Sequence, residues 1–375
     1  MLTSFLVRNF RLFDSIQIEH LNRVNLVVGR NNSGKSALLE AVELYVSDAS
    51  PQVIVSLVTN RQETWTGQSQ LEDETSPMTP LRHLFHNHEL PGVDKEGIVL
   101  GPIHPESEQI RIHVAAYHVE RDEEGIARRT LIEPNALALD LSELEFALVA
   151  RENGKVRRIV RLDGDLDYEV NMFRRNANLL RTVPRYSVEV VPTKNMTDEK
   201  LALLWDQINL TGLDEEVVAG LKLLDPTITG AAFVEGTGRR NRPLRIPIIK
   251  TSSIAEPLPL QSMGDGMTRI FHIIVALVNA RNGILVIDEF ENGLHWSVQP
   301  KIWQTVFRLA QKLNVQVFSS THSRDCIVGF EEAWKAQEEF GAFFRLNVKP
   351  MGGVTVTPYS CETLADALET VVEIR

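Results

Sequence analysis

The stretch Gly29-Arg30-Asn31-Asn32-Ser33-Gly34-Lys35-Ser36 follows the pattern Gly, four residues, Gly, Lys, Ser. Its flanks decide how it is read. Val24-Asn25-Leu26-Val27-Val28 has the character of a buried strand, and Ala37 to Tyr45 reads as a helix. Strand, glycine-rich loop and helix in that order make a phosphate cradle. Gly29 and Gly34 let the backbone bend so that its N–H groups turn inward, and the helix N-terminus adds a partial positive charge. The residues placed to hold a nucleotide are then Gly29, Asn31, Asn32, Ser33, Gly34, Lys35, Ser36 and Ala37. Lys35 is expected to reach the β- and γ-phosphates and Ser36 to hold Mg²⁺ through its hydroxyl. The competing reading is a Gly/Asn-rich turn with a surface lysine. It leaves the flanking strand and helix without a reason.

A second constellation lies far along the chain. Ile284-Leu285-Val286-Ile287 is a four-residue β run ending in Asp288-Glu289. Asp288 suits the Mg²⁺ shell, and Glu289 suits a base that polarises an attacking water. After the next strand, read at Val315–Ser319, Thr321-His322-Ser323 puts an imidazole at the carboxyl edge of the sheet, where open α/β sheets bind ligands. Ahead of both, Gln261-Ser262-Met263-Gly264-Asp265-Gly266 begins a helix read at 264–279. Ser262 and Gly264 at a helix N-terminus make a further anion site. One nucleotide needs only one cradle, so this second one most simply serves a nucleotide held by another subunit. Read as structure alone, Ser262 is a helix cap.

The remaining chain gives the frame. Alternating or apolar runs read as strands at 2–9, 16–18, 109–119, 143–150, 155–162, 165–171 and 186–191, with Asn153-Gly154 as a hairpin turn. The middle strands are taken together as an antiparallel β section. Residues 59–78 and 87–107 read as loops, and 79–86 as a short helix. Two amphipathic helices follow at 197–209 and 213–224, then strands near 228–235 and 244–250. Between these lie Arg239, Arg240, Arg242 and Arg245, read either as a solvated hairpin tip or as a phosphate contact. After residue 264 strands and helices alternate, the signature of a parallel α/β sheet. The expected division is 1–107, 108–250 and 251–375.

The formal net charge of −11 argues against a broadly basic surface, though not against a local basic patch. Two cysteines, Cys326 and Cys361, fall in no metal-ligand spacing, which favours a reducing compartment. No apolar run is long enough to span a membrane. The expected location is the cytoplasm.

Taken together these motifs resemble the ABC-type ATPases of the RecF, SMC and OLD group, and most of all their compact members described as AAA-family ATPases. Gly29–Ser36 is similar to Walker A, Ser262 and Gly264 to the signature loop, and Asp288-Glu289 to Walker B. Asn292-Gly293-Leu294-His295 is similar to the D-loop and His322 to the switch histidine. Asn9-Phe10-Arg11 resembles the Asn-Phe-Arg of these proteins, whose arginine approaches the nucleotide. Met263 departs from the usual glycine, Asp265 takes the place of glutamine, and no Q-loop glutamine is assigned. The resemblance implies an α/β fold: an ABC-type head with a mixed or parallel central sheet, an antiparallel β section and a helical lobe. It implies ATP and Mg²⁺, hydrolysis by Glu289 with His322, and a head-to-tail homodimer or higher even oligomer opened by hydrolysis.

No heptad arms of the SMC kind lie between the P-loop and the signature. About fifty residues follow His322, too few for an ordinary OLD-type nuclease domain. The expectation is an ATPase head alone, controlling a separate protein effector, plausibly in bacterial antiviral defence. The alternative is a RecF-like DNA-binding ATPase in repair. A small-molecule kinase fits least, since it needs neither the signature nor the second carboxylate.

Overall fold

The computed structural model describes residues 1–63, 80–93, 95–121, 127–132, 144–162, 184–237, 243–350 and 352–370. The strand expected at 165–171 and Arg239, Arg240 and Arg242 lie outside them.

The central sheet is built from six strands. They are β3 (Val24–Gly29), β9 (Val188–Val191), β13 (Ile284–Ile287), β14 (Gln316–Thr321), β15 (Gly341–Val348) and β16 (Val354–Tyr359), in the spatial order β16-β15-β3-β14-β13-β9. All neighbours run parallel except β15 and β16. β3, β13 and β14 are buried along their whole length, as strands covered on both faces must be. Their alternate residues feed two cores. Leu26, Leu285, Ile287 and Val317 face one, and Val27, Ile284, Val286 and Phe318 face the other.

The second core is closed by an antiparallel sheet. It holds β1 (Phe5–Phe10), β2 (Phe13–Ile18), β4 (Ile98–Gly101), β5 (Ile110–Arg121), β6 (Ala127–Leu131), β7 (Leu144–Glu152) and β8 (Lys155–Arg161). The order is β2-β1-β4-β5-β7-β8, with β6 on β5. The P-loop helix Lys35–Val46 lies between this sheet and the central one, which explains why Leu38, Leu39, Ala41, Val42 and Leu44 are all buried. The first core is closed by the helix Asp265–Asn279, against which pack the helices Asp198–Thr211 and Asp214–Lys222. A three-stranded sheet, β10 (Ile228–Thr237), β11 (Pro243–Thr251) and β12 (Leu258–Pro259), completes that lobe.

Three sequence readings are corrected. The strand at 186–191 does not join the antiparallel section. It pairs parallel with β13, residue Val190 beside Val286, and forms the edge of the central sheet. Residues 87–107 are not all loop, because Ile98–Gly101 pairs with both β1 and β5. Strand pairing therefore crosses the expected boundaries at 107 and 250. β5 to β8 extend the sheet begun by β1, and β9 completes the sheet begun by β3. The expected helix at 79–86 is a short 3-10 turn, Pro80–Leu84.

Candidate functional site

The P-loop leaves β3 at Gly29 and enters its helix at Gly34. Both glycines are required. Gly29 has φ 154°, and a Cβ there meets the Leu346 carbonyl oxygen at 2.7 Å. Gly34 has φ 100°, and a Cβ there meets the Phe13 ring at 2.7 Å. The helix that follows has no side-chain cap and no acidic residue in its first turn. Its first N–H groups are left for an outside acceptor, which is what an anion at a helix N-terminus supplies. Asn31 and Asn32 are exposed at the tip of the loop, and Ser33 and Ala37 are buried beneath it. Lys35 Nζ donates to the carbonyls of Gly29 (2.8 Å) and Arg30 (3.1 Å). Burial pushes its pKa down, against the attraction of Asp288, Glu289 and Glu291.

Ser36 meets Asp288 directly. Its hydroxyl donates to the carboxylate at 3.0 Å. Two more hydroxyls converge there, Ser320 at 2.5 Å and Thr193 at 3.3 Å. One carboxylate ringed by hydroxyl oxygens is a hard-oxygen donor set, which fits Mg²⁺ and not a thiophilic metal. Thr193 was not marked in the sequence. It follows the edge strand β9, and only the corrected place of that strand brings it beside Asp288.

Glu289 sits in the left-handed region, φ 49°. The turn is held in place. Its N–H donates to Ser320 Oγ at 2.9 Å, and Phe290 behind it stacks on Trp303 with centroids 3.8 Å apart. Its carboxylate, about a third exposed, stands 3.9 Å from His322 Nδ1. The nearer partner of His322 is Glu291. That carboxylate lies 3.1 Å from His322 Nδ1 and accepts from the His322 N–H at 2.9 Å.

Arg269 was also missed. It lies on the helix Asp265–Asn279 and is 1% exposed. Its guanidinium donates to the carbonyls of Pro192 (2.6 Å), Asp288 (2.8 Å) and Glu289 (3.0 Å) and to Asn195 Oδ1 (3.0 Å). Burial pulls its pKa down to about 10, against the carboxylates of Asp288, Glu291 and Glu289. The available signal was a charged residue inside an otherwise apolar helix.

The P-loop, Asp288 and Thr193 line one cleft of about 1260 Å³. Arg11 forms part of the wall of this cleft. Its guanidinium is held by Glu40 (3.0 Å), by Glu63 (2.6 Å) and by the carbonyls of His83 and Leu57. Two carboxylates already answer its charge. Glu43, on the same helix face as Glu40, is pushed up to about 7 by burial, with Glu40 adding to the shift.

Ser262 and Gly264 are brought to a different place. Both are exposed and neither lines the cleft. Ser262 does not cap its helix: the cap position is Gly264, with φ 91° and no side-chain hydrogen bond. The turn 292–295 packs against this end, since a Cβ on Gly266 meets the Gly293 carbonyl oxygen at 3.2 Å.

Two segments of the chain match known protein families. A family described as "AAA ATPase domain" matches residues 1–112. One described as "AAA domain, putative AbiEii toxin, Type IV TA system" matches residues 248–326. The "ATP/GTP phosphatase" of Helicobacter pylori is 23% identical over 348 residues, covering 87% of this chain and 86% of that protein. Among solved structures, an SMC head bound to the C-winged helix domain of ScpA is 11% identical, covering 97% of this chain and 99% of that one at a TM-score of 0.49. The SMC head domain from Thermotoga maritima is 13% identical, covering 96% and 99% at 0.43. The two matched segments, both similar to AAA ATPase domains, bring the P-loop, Asp288-Glu289 and His322 to the carboxyl ends of the neighbouring strands β3, β13 and β14, and the chain is an ATPase of α/β P-loop fold with, among its described residues, no coiled-coil arm.

Proposed function

We propose that this chain is an ATP-driven switch that closes head-to-tail on a second copy of itself. The observation that carries the reading is the pair of uncapped helix N-termini. One lies inside the cleft at Lys35-Ser36, and the other lies exposed and outside it at Ser262–Asp265. A single nucleotide in the cleft occupies the first and leaves the second for a partner's γ-phosphate.

In this reading Gly29 to Ala37 hold the phosphates through backbone N–H groups and Lys35. Ser36, Asp288 and Thr193 would hold Mg²⁺, which supplies charge neutralisation of the β- and γ-oxygens. Glu289 takes the proton of the attacking water, and His322, oriented by Glu291, sits on the phosphate side. Hydrolysis removes the group that bridges the two copies and opens them. The opening is the signal passed to a separate protein effector. A role in bacterial antiphage defence is supported by the description "putative AbiEii toxin, Type IV TA system" of the family matched at residues 248–326, and the cytoplasm is its proposed location. The name of the H. pylori relative makes GTP a second nucleotide to assay beside ATP.

The test is Ser262→Arg. It fills the exposed second cradle and leaves the cleft of its own chain intact. Steady-state hydrolysis is expected to fall by roughly 100-fold or more, as for loss of a transition-state charge partner, with single-chain ATP affinity unchanged. Hydrolysis at the wild-type rate would overturn the shared-site reading.

A further inference from the structure

The cleft runs on past the phosphate cradle. Its metal end is Ser36, Asp288 and Thr193, and its wall also includes the turn His86-Asn87-His88. Between them the wall follows the P-loop helix Lys35–Val46. Glu40 stands more than one helical turn past Lys35, about 7.5 Å along the axis, and Arg11 joins Glu40 to the segment that carries the turn. Leu12 lines the cleft along that path. It packs against the P-loop so closely that a Cβ on Gly34 would lie 3.0 Å from it.

The turn is fixed from behind and open in front. Phe85 before it is fully buried and bridges to Phe10. Arg11 is bonded to this segment three times. Its N–H donates to the Leu84 carbonyl (3.0 Å), its guanidinium donates to the His83 carbonyl (3.1 Å), and its own carbonyl lies 3.1 Å from His86 Nδ1. The rings of His83 and His88 meet with their Nδ1 atoms 3.1 Å apart. Asn87 and His88 are held at φ 60° and 59°, left-handed conformations that cost backbone energy and gather at ligand clamps. Asn is an ordinary choice for such a turn, where its amide usually bonds nearby backbone. Here the Asn87 amide is exposed and makes no hydrogen bond among the described residues. The Arg11 carbonyl can only accept, so His86 Nδ1 carries the proton, and Nε2 of the neutral ring is left as an acceptor.

We infer that the purine of the nucleotide lies over Leu12 and is read by this turn, where His86 and Asn87 select adenine over guanine by its amine at C6. Phosphates anchored at Lys35 and Ser36 leave the sugar and base to extend along the wall away from Asp288. Adenine offers two amine hydrogens at C6 beside the acceptor N7. The Asn87 carbonyl and His86 Nε2 take the hydrogens, and the Asn87 amide N–H donates to N7, the bidentate pairing of an amide with adenine. Guanine, carried by the same phosphates and sugar, turns a carbonyl at C6 towards two acceptors. The inference rests on the P-loop reading of the cleft and not on the shared site, because the turn belongs to the same chain's cleft and Ser262 takes no part.

The probes are ADP, IDP and GDP, titrated with Mg²⁺ into the wild-type protein and followed by calorimetry. Diphosphates lack the γ-phosphate, so neither hydrolysis nor closure on a second copy enters the result. IDP carries a carbonyl at C6 in place of the amine of ADP. The wild type is expected to bind ADP roughly tenfold or more tighter than IDP or GDP, the size of one bidentate pair. Asn87→Gly keeps the left-handed turn. It is expected to bind ADP about tenfold more weakly while its affinity for IDP holds. Equal affinity of the wild type for ADP and IDP overturns the inference and leaves the P-loop reading intact. So does equal weakening of both by Asn87→Gly, the outcome of a merely structural role. Failure of all three diphosphates to bind overturns the P-loop reading and the inference with it.

Discussion

Glu291 and His322 are placed to act through each other. The carboxylate takes the backbone N–H of the histidine and stands 3.1 Å from its Nδ1, which fixes the ring and leaves Nε2 unengaged by Glu291. Glu291→Gln is expected to lower kcat by about 10- to 100-fold while ATP affinity holds. Combined with His322→Ala it is expected to add almost nothing, since residues acting as one unit are not additive. Full additivity would make Glu291 merely structural. A second residue-scale prediction concerns pH. Glu43 has a folded-state pKa raised to about 7, so the stability linked to its neutral form is present below pH 4.5 and lost as pH rises through 7. Glu43→Gln is therefore expected to melt higher than wild type at pH 8, with the gap closing towards pH 4.5. A gap independent of pH would contradict the burial account. Lys35, Ser36 and Asp288 were legible in the sequence because each belongs to a short motif tied to a loop or strand end. Glu291, Arg269 and Thr193 were not, because they act through backbone carbonyls or through neighbours that only the fold supplies.

At the scale of elements, the helix Asp265–Asn279 is tied to the Walker B turn by one side chain. Arg269 joins it to the carbonyls of Asp288 and Glu289 and to the loop after β9. Arg269 thereby links the helix that begins after the exposed Ser262–Gly264 turn to the backbone of Glu289. Arg269→Met is expected to cost roughly 2–4 kcal/mol of stability, because several buried acceptors lose their donor. Urea unfolding checks this, and a loss under 1 kcal/mol would mean that the loop finds other donors. The elements themselves were largely readable. β3, β13 and β14 announce themselves as continuous apolar runs, and the Asn153-Gly154 hairpin by its turn pair. β4 was hidden because its four residues stand between Gly97 and Pro102, where turn formers dominate. β9 was found, but its partner was not. Val188–Val191 looks like any short strand, and only the space beside β13 makes it parallel.

The described residues form two cores on either side of a central sheet, with a cleft of about 1260 Å³ on the P-loop side and Ser262 outside it. The fold class was legible because both ends of the chain carry motifs that must meet on one sheet. The interleaving was not, because strand order depends on pairings between residues more than a hundred positions apart, such as Val24 beside Gly341. The central claim is that two such molecules complete each other's site. The most direct measurement is the mass of Glu289→Gln in multi-angle light scattering, saturated with ATP and Mg²⁺. The variant is expected to hold nucleotide without hydrolysing it, so the account predicts twice the 42.2 kDa of one chain, falling to the monomer when Ser262→Arg is added. A monomer for Glu289→Gln under those conditions, or a dimer that survives Ser262→Arg, would contradict it.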